Sequence, residues 1–295
     1  MTTERIKVLG VSRSARFSPN STGRDEAIFM AVASRLQRMG YDVSTISEDF
    51  LIGVEWEKFR LVFSMARSAE SLRELAEAER AHGIIVVNSP SALLRATRAA
   101  VMQAIAAKGD LAPQPRFAVC SVAPSTIEKV AAAGIRFPLW LKRSDTCAQS
   151  KDDVLYAGNE DELAETVATF ASHKISECVA VEHAEGDLVK FYGVSHSDFF
   201  HTCYPTDAGG YSKFGLESHN GEARHYAFDE GRLHAAAETA AEATGIQVYG
   251  GDAIVRADGT FVIIDFNDWP SFSPCRKEAA KAIARSLDAA AKGGN

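Results

Sequence analysis

Apolar, strand-like runs alternate with helix-like segments along the first third of the chain, and this alternation restricts the fold more than any other feature. Four strands are predicted at residues 5–12, 41–47, 59–67 and 83–90, and helices at 22–40 and 68–83. Strands that alternate with helices form parallel sheets with right-handed crossovers. We therefore predict a parallel α/β sheet for the N-terminal part of the chain.

Polar residues follow three of these strands, in the segments Ser12–Arg16, Ser64–Arg67 and Asn88–Pro90. Ligands of open α/β sheets bind outside the carboxyl ends of the strands. We expect one side of a binding site at these three segments.

The rest of the chain has a different order of elements. A helix is predicted at 91–109, and the two prolines and the aspartate that follow it indicate a linker and a domain boundary. Beyond it, the pattern predicts a compact α+β unit and then an antiparallel sheet, with strands at 116–122, 137–143, 153–158, 178–184, 186–205 and 246–268 and helices at 124–134, 160–173, 229–245 and 275–294. We predict three units: residues 1–111, 112–185 and 186–295.

Composition excludes several classes of protein. The 295-residue chain has a formal net charge of −7 and no block of basic residues, so we expect no nucleic-acid partner. No apolar run reaches membrane-spanning length, and residues 1–10 lack the apolar core of a signal peptide. The five scattered cysteines, with no CxxC, are typical of reduced thiols. These features predict a cytoplasmic protein without a membrane partner.

A hairpin near the C-terminus collects oxygen-bearing side chains. Its strands are antiparallel across a turn at Asp258 and Gly259, so Asp252 and Asp265 are expected to be cross-strand neighbours. Asn267 follows Asp265 by two positions and shares its face. Two carboxylates and a carboxamide suit Mg²⁺, which takes few protein carboxylates and several substrate oxygens. The alternative is a solvated strand end that caps the next turn.

In this setting, an apolar strand that ends in acidic-x-Asn before a proline resembles the metal-binding hairpin of the ATP-grasp superfamily. The chain is similar to the glutathione synthetase and ribosomal-protein glutamate ligase types, and to inositol polyphosphate kinases of the same superfamily. The resemblance implies an N-terminal Rossmann-like parallel-sheet domain, a central α+β lobe and a C-terminal antiparallel-sheet lobe. It also implies ATP and Mg²⁺ as cofactors, with Mn²⁺ as a substitute and with Asp252, Asp265 and Asn267 as metal ligands.

The resemblance further implies three catalytic residues. The stretch FPLWLKRSD is similar to the strand that carries a phosphate-contacting lysine, here Lys142, and Arg98 stands where a second such lysine is usual. Lys190, on the VKFYGV strand, would project into the same site. Each of these residues could instead be an ordinary surface cation, and for Lys142 taken alone that is the more common case.

The nucleotide base has its own expected contacts. VAVEHAEGDL is similar to the hinge strand of the superfamily, where Glu182 and the backbone of His183 and Ala184 would meet adenine and Asp187 the ribose. The alternatives are a solvated strand residue for Glu182 and a turn aspartate for Asp187.

Two departures from the superfamily pattern bear on the reaction. The loop after Lys142 has no glycine, so it would hold phosphates through side chains such as Ser144, Thr146, Gln149 or Lys151. Trp269 and Phe272 follow the hairpin, where they either line an acceptor pocket or pack against the last helix. Separately, an anion-binding or merely solvated loop is expected at Lys213, His219, Arg224 and His225. His196 and His201 lie five apart on one predicted strand and are not expected to share a metal.

These features leave three functions open. The first is a carboxylate–amine ligase that works through an acyl phosphate, on a small-molecule or peptide acceptor. The second is a small-molecule kinase that phosphorylates a hydroxyl, which the glycine-free loop favours. The third is a nucleotide-binding regulatory protein without turnover, which the complete metal-ligand set argues against. Whether the chain forms a homodimer is left open by the sequence.

Overall fold

The computed structural model describes residues 5–18, 21–145, 151–205 and 221–293, which form three four-stranded sheets and the helices around them. The strands are β1 (Lys7–Ser12), β2 (Asp42–Ser47), β3 (Leu61–Ser64), β4 (Ile85–Val87), β5 (Phe117–Ser121), β6 (Leu139–Arg143), β7 (Val154–Ala157), β8 (Glu177–Glu182), β9 (Asp187–Val194), β10 (Phe200–Cys203), β11 (Val248–Val255) and β12 (Phe261–Asp268). The α-helices are α1 (Thr22–Arg38), α2 (Ala69–His82), α3 (Pro90–Leu93), α4 (Arg98–Ala106), α5 (Thr126–Ala132), α6 (Glu160–Ser172), α7 (Glu230–Thr244) and α8 (Arg276–Ala291).

The N-terminal sheet is parallel, with the strand order β2-β1-β3-β4, as the alternation of elements predicts. Helix α2 illustrates why these elements form. Ser68 accepts a hydrogen bond from the backbone of Ser71 at its start, and Gly83 ends it in the left-handed conformation at φ 64°. Leu72, Leu75 and Ala78 recur at helical spacing and are buried.

The single helix predicted at 91–109 is wrong, because the structure has two helices there. Helix α3 ends at Leu93, and α4 begins at Arg98 after a break. Thr97 caps α4, since its side chain accepts a hydrogen bond from the backbone of Ala100. The break directs Arg98 at the start of α4 toward the end of β6, where its backbone N–H donates to the carbonyl of Ser144 at 2.8 Å.

The other two sheets are antiparallel. The central sheet has the order β5-β8-β6-β7 with α5 and α6 packed on it, and the C-terminal sheet has the order β10-β9-β11-β12. Register follows the predicted hairpin, with Asp252 opposite Asp265 and a bulge between Asp252 and Ala253. The mixed α/β and α+β architecture predicted from the sequence is therefore confirmed.

Buried apolar side chains divide into clusters that do not follow the three predicted units. One large cluster joins Leu9 and Val62 of the N-terminal sheet to Phe191 and Phe266 of the C-terminal sheet. A second joins α1 and the N-terminal sheet to Trp269, Phe272 and α8. The central sheet with α5 and α6 has a separate cluster. The boundaries at 111 and 185 therefore remain predictions.

A buried asparagine also connects the N-terminal and C-terminal sheets. Asn88 is 0% exposed and lies just after β4. Its amide donates to the carbonyl of Val248 at 3.0 Å, and its oxygen accepts from the backbone N–H groups of Gln247 and Val248. The end of the parallel sheet is thus fixed against the start of β11.

Within the described ranges, none of the helices is long and apolar enough to span a membrane.

Candidate active site

A cleft of about 340 Å³ runs between the central and C-terminal sheets and ends against the N-terminal sheet. Its lining changes in character from one end to the other. One end, called the apolar end below, is lined mostly by apolar side chains and includes Trp140, Val154, Val181, Glu182, His183, Ala184, Leu188, Ile254 and Ile264. The middle holds Arg98, Lys142, Lys190, Asp252, Asp265 and Asn267. The opposite end, called the far end below, includes Arg13, Ser18, Asp25, Arg67, Asp268 and Trp269.

The middle of the cleft contains the predicted trio of oxygen-bearing side chains. Asp252 and Asp265 face each other across β11 and β12. The amide of Asn267 donates to Asp265 Oδ2 at 3.1 Å. The side chains of Asp252 and Asp265 are 26% and 29% exposed, so both reach the cleft while remaining mostly covered.

Three cations surround these carboxylates. Arg98 Nη1 lies 3.1 Å from Asp265 Oδ1, and Lys190 Nζ lies 3.2 Å from Asp252 Oδ1. Lys142 is 7% exposed and donates to the carbonyl of Ile264 at 3.1 Å. All three residues that the sequence predicts as catalytic therefore meet in one place, beside the predicted metal ligands.

The close packing of charges shifts two pKa values. Burial and, next to it, the guanidinium of Arg98 lower the pKa of Lys142 to about 8, against the opposing effect of Asp265 and Asp252. Burial alone would raise the pKa of Asp265, but Arg98 and Lys142, together with Asn267 and Lys190, outweigh it and hold that pKa below its usual value. Asp265 therefore stays ionised at neutral pH, whereas Lys142 titrates near pH 8.

The chemistry of the trio fits a hard divalent cation. Two adjacent carboxylates and an amide oxygen match the small number of protein ligands that Mg²⁺ takes when substrate phosphates complete its shell. Such an ion would share Asp265 with Arg98 and Asp252 with Lys190. Across the described part of the chain, no group of three or more His, Cys, Asp and Glu side chains could hold a metal. The candidate site therefore depends on the amide of Asn267.

The apolar end of the cleft, called the slot below, is lined by aromatic and aliphatic side chains. Trp140 donates its indole N–H to His183 Nδ1 at 3.0 Å and lies edge-on to Tyr156, with 5.2 Å between ring centroids. Glu182 lies at the rim, where the backbone and guanidinium of Arg136 donate to it at 3.1 and 3.0 Å. Burial would raise the pKa of Glu182, but these bonds from Arg136 outweigh it and lower that pKa.

Three of the predicted nucleotide contacts form hydrogen bonds within the protein. Asp187 is 3% exposed, and its two oxygens accept the backbone N–H groups of Arg224 and Tyr226 at 2.8 Å each, so it holds that segment and does not line the cleft. The hydroxyl of Ser144 donates to Glu177 at 2.6 Å, also outside the cleft. The backbone N–H of His183 donates to Pro138, although its side chain and Ala184 do line the apolar end.

Charged residues at the far end of the cleft complete the site. Arg13 and Arg67 come from the ends of β1 and β3, where the sequence predicts ligand contacts. Asp25 lies in the first turn of α1 and Asp268 ends β12. Sequence reasoning missed Asp25, because an aspartate in the first turn of a helix is ordinarily a favourable partner of the helix dipole.

The residues after the hairpin have a mainly structural place. Trp269 and Phe272 are fully buried and pack in the cluster shared with α1 and α8, although Trp269 also borders the cleft. Both have positive φ angles, 34° and 49°, which non-glycine residues adopt only under constraint. Arg224 and His225 do not line the cleft. The predicted contacts Thr146, Gln149, Lys213 and His219 and the side chain of Lys151 lie outside the described residues.

Comparisons with known proteins agree with this architecture. No protein-family model matches the sequence, and no curated protein matches it significantly. Among solved structures, the VanG D-Ala:D-Ser ligase of Enterococcus faecalis aligns with TM-score 0.71 and 15% identity over 98% of this chain and 100% of its own. The D-alanyl-alanine synthetase A of Vibrio cholerae O1 biovar eltor str. N16961 aligns with TM-score 0.70 and 10% identity over 98% of each chain. A RimK domain ATP-grasp protein of Sphaerobacter thermophilus DSM 20745 aligns with TM-score 0.63 and 20% identity over 95% of this chain and 99% of its own. Together with the three sheets and the cleft between them, these similarities show that the chain has the ATP-grasp fold.

Proposed function

We propose that this protein is an ATP- and Mg²⁺-dependent ligase that activates a carboxylate as an acyl phosphate and joins it to an amine. One observation carries the proposal: a single cleft combines an apolar slot, a group of three cations and two carboxylates, and a charged far end. The slot suits a nucleotide base, the middle suits a triphosphate, and the far end suits an acceptor. Solved structures with the same fold include a D-Ala:D-Ser ligase and a D-alanyl-alanine synthetase.

The chain's own residues would mainly position and neutralise charge. Transfer of a phosphoryl group spreads negative charge over its oxygens, and catalysis consists largely of stabilising that charge. Lys142, Arg98 and Lys190 are three cations in one part of the cleft. Mg²⁺ held by Asp252, Asp265 and Asn267 would supply further positive charge to the phosphates.

The proposed reaction has two balanced steps. The γ-phosphoryl group of ATP passes to a carboxylate oxygen of the first substrate, which leaves ADP and an acyl phosphate. The amine of the second substrate then attacks the acyl carbon, a C–N bond forms, and inorganic phosphate leaves with the oxygen of the broken C–O bond. The amine loses a proton in this step.

A kinase remains the second candidate because of one feature, the glycine-free loop at residues 143–153. A kinase would transfer the same γ-phosphoryl group to a hydroxyl and stop at a stable phosphoester. The two reactions differ in where the label of [γ-³²P]ATP ends, as inorganic phosphate for the ligase and in an organic product for the kinase.

The proposal is tested first by calorimetry with ADP and Mg²⁺. We expect the wild-type protein to bind ADP more tightly with Mg²⁺ than with EDTA, and Asp265→Asn to remove most of this metal dependence while the variant still unfolds cooperatively at a lower temperature, because Arg98 loses its partner. Asp258→Asn is the matched control, because Asp258 lies on the same hairpin but at the exposed turn. A wild-type protein that binds no ADP with Mg²⁺ would refute the proposed function.

A further inference from the structure

The far end of the cleft carries four charges of alternating sign in one connected row. Arg13 Nη1 lies 3.0 Å from Asp25 Oδ2, and Arg13 Nη2 lies 3.5 Å from Asp268 Oδ2. Arg67 Nη2 lies 2.5 Å from the other oxygen of Asp268. The order along the row is therefore Asp25, Arg13, Asp268, Arg67, and all four side chains line the cleft.

The two inner members of the row are held by the protein. Arg13 is 8% exposed and also donates to the carbonyls of Met65 at 3.2 Å and Trp269 at 3.3 Å. Asp268 is 7% exposed and has an arginine on each oxygen. A buried ion pair that loses one partner leaves an uncompensated charge, which is strongly destabilising. A ligand should therefore leave these two residues paired.

The two outer members of the row are the ones that a ligand can engage. Arg67 is 22% exposed, more than any other member of the row. Asp25 is 9% exposed, and its Oδ2 accepts from Arg13 and from the hydroxyl of Ser18 at 2.7 Å. Its other oxygen, Oδ1, makes no hydrogen bond with the described part of the chain. Asp25 lines the cleft, and a carboxylate oxygen that has no donor from the protein is a strong acceptor for a donor on a ligand.

The positive and negative charges of the row are equal in number. In this respect the far end of the cleft differs from the middle. The row contains two cations and two carboxylates, whereas the middle has Arg98, Lys142 and Lys190 against Asp252 and Asp265. The nearby Glu48 does not line the cleft, and its oxygens accept the backbone N–H groups of Ser14, Arg67 and Ser68. A polyanionic ligand would meet Asp25 and Asp268 here without a surplus of cations.

We propose that the far end of the cleft binds a zwitterionic acceptor, with its amine on Asp25 Oδ1 and its carboxylate on Arg67. This inference rests on the proposed function and narrows its acceptor to molecules that carry both an amine and a carboxylate. The positive amine would lie beside Asp25 and the negative carboxylate beside Arg67. The acceptor would therefore continue the alternation of positive and negative charge at both ends of the row. A highly phosphorylated acceptor is excluded by the balance of charge.

The amine and the acid of the acceptor must be some distance apart, because a guanidinium and a carboxylate lie between Asp25 and Arg67 along the row. A homologous series measures this distance. Glycine, β-alanine, γ-aminobutyrate and 5-aminovalerate differ only in the number of methylenes between the two charges. Butylamine and butyrate each lack one charge, and myo-inositol hexakisphosphate is a polyanion.

Binding of these probes is measured by calorimetry on the 295-residue protein saturated with ADP and Mg²⁺. We expect one or two members of the zwitterionic series to bind at least tenfold more tightly than butylamine or butyrate. Asp25→Asn should reduce that binding at least tenfold. Asp49→Asn is the matched control: it removes a carboxylate from the same part of the chain, on a residue that pairs with Arg16 and does not line the cleft. It should leave binding unchanged.

A second variant gives a result that loss of structure cannot imitate. Asp25→Glu keeps the charge and extends it by one methylene into the cleft, so the preferred probe should become one methylene shorter. The inference is overturned if no zwitterion exceeds its single-charge analogues, if the hexakisphosphate binds best, or if Asp25→Glu leaves the order of preference unchanged. In each of these outcomes, retained binding of ADP and Mg²⁺ shows that only the acceptor assignment has failed.

Discussion

Arg98 shows how one side chain can set the geometry of the middle of the cleft. Its backbone N–H donates to Ser144, its Nε donates to the carbonyl of Arg143 at 3.0 Å, and its Nη1 pairs with Asp265. A guanidinium presents N–H groups in several fixed directions, whereas an ammonium is a compact point charge. Arginine at this position can therefore connect the end of β6 to Asp265 on β12 and still face the cleft.

Lys142 should take up a proton when a nucleotide binds. Its pKa is lowered to about 8 in the structure, so above pH 8 it is mostly neutral. Phosphate oxygens beside it favour the charged form and raise the pKa again. We therefore expect binding of ADP at pH 8.5 to be coupled to proton uptake, and affinity to fall as pH rises through about 8. Calorimetry in buffers of different ionisation enthalpy measures the number of protons taken up on binding. EDTA is present to remove divalent metal ions, so that only the protein's own cations meet the phosphates.

The Lys142 prediction has a direct control. Lys142→Met should abolish the proton uptake, and Lys277→Met, which changes an exposed lysine of α8, should keep it. An unchanged uptake in Lys142→Met would show that another group titrates on binding.

How well the sequence predicts a site residue depends on what fixes its position. The positions of Asp252, Asp265 and Asn267 follow from a two-residue period and one turn, which are local properties of the chain. The partners of Asp187 and Ser144 lie far along the sequence, at Arg224, Tyr226 and Glu177, and no local pattern could indicate them. Asp25 lies only twelve residues from its partner Arg13, but it was missed because an aspartate in the first turn of a helix is ordinarily a partner of the helix dipole.

At the scale of elements, the contact between α1 and α8 joins the two ends of the chain. Small residues of α8, including Ala279, Ala280 and Ala284, are buried in the shared cluster and allow the helices to lie close together. Tyr41, just after α1, donates its hydroxyl to Asp288 Oδ1 at 2.6 Å. Lys292 Nζ lies 2.8 Å from the same oxygen.

Asp288 should stabilise this helix contact only while it is ionised. Burial would raise its pKa, but the hydrogen bonds from Lys292 and Tyr41 outweigh burial and lower it. A carboxyl group whose pKa is lower in the folded state stabilises the fold above its unfolded pKa, and that stability is lost as pH falls through the folded pKa. We expect Asp288→Asn to reduce the free energy of unfolding by about 1 kcal/mol at pH 7, because the carboxylate is partly exposed.

Urea unfolding at a series of pH values checks the Asp288 prediction. The difference between Asp288→Asn and the wild type should shrink from pH 4 downward and vanish once the carboxyl is protonated in both states. Asp161→Asn, in the exposed first turn of α6, is the control variant, and its effect at pH 7 should be smaller. A difference that stays constant with pH would mean that the hydrogen-bond geometry, and not the charge, is responsible.

Element types were more predictable than element ends. The spacing of apolar residues in strands and amphipathic helices can be read directly from the sequence. Most of the predicted elements are present in the structure. The break between α3 and α4 was not predicted, because Leu94 to Ala96 continue an apolar helical pattern. The break is instead fixed by the cap at Thr97 and by the contacts that Arg98 makes with the end of β6.

At the scale of the whole molecule, the three units predicted from the sequence do not coincide with the hydrophobic clusters of the structure. Three units were predicted from a linker and from changes in element order. Apolar periodicity shows which face of an element is buried, but not which element covers it. In the structure, α8 at the end of the chain packs with α1 near its start, so the N-terminal and C-terminal sheets share two clusters. The central sheet keeps its own.

This division predicts two cooperative units in unfolding, and two phenylalanines test it. Phe63 on β3 and Phe170 on α6 are both fully buried, the first in the cluster shared with α8 and the second in the central cluster. Replacing a buried phenylalanine with alanine costs about 3–5 kcal/mol. We expect Phe63→Ala to lower the opening free energy of amides in both the N-terminal and C-terminal sheets. Phe170→Ala should lower it mainly in β5 to β8.

Native-state hydrogen exchange resolves the sheets separately, and each variant serves as the control for the other. If Phe63→Ala affected only the N-terminal sheet, the shared clusters would not behave as one unit. If Phe170→Ala affected all three sheets equally, the central sheet would not unfold as a separate unit.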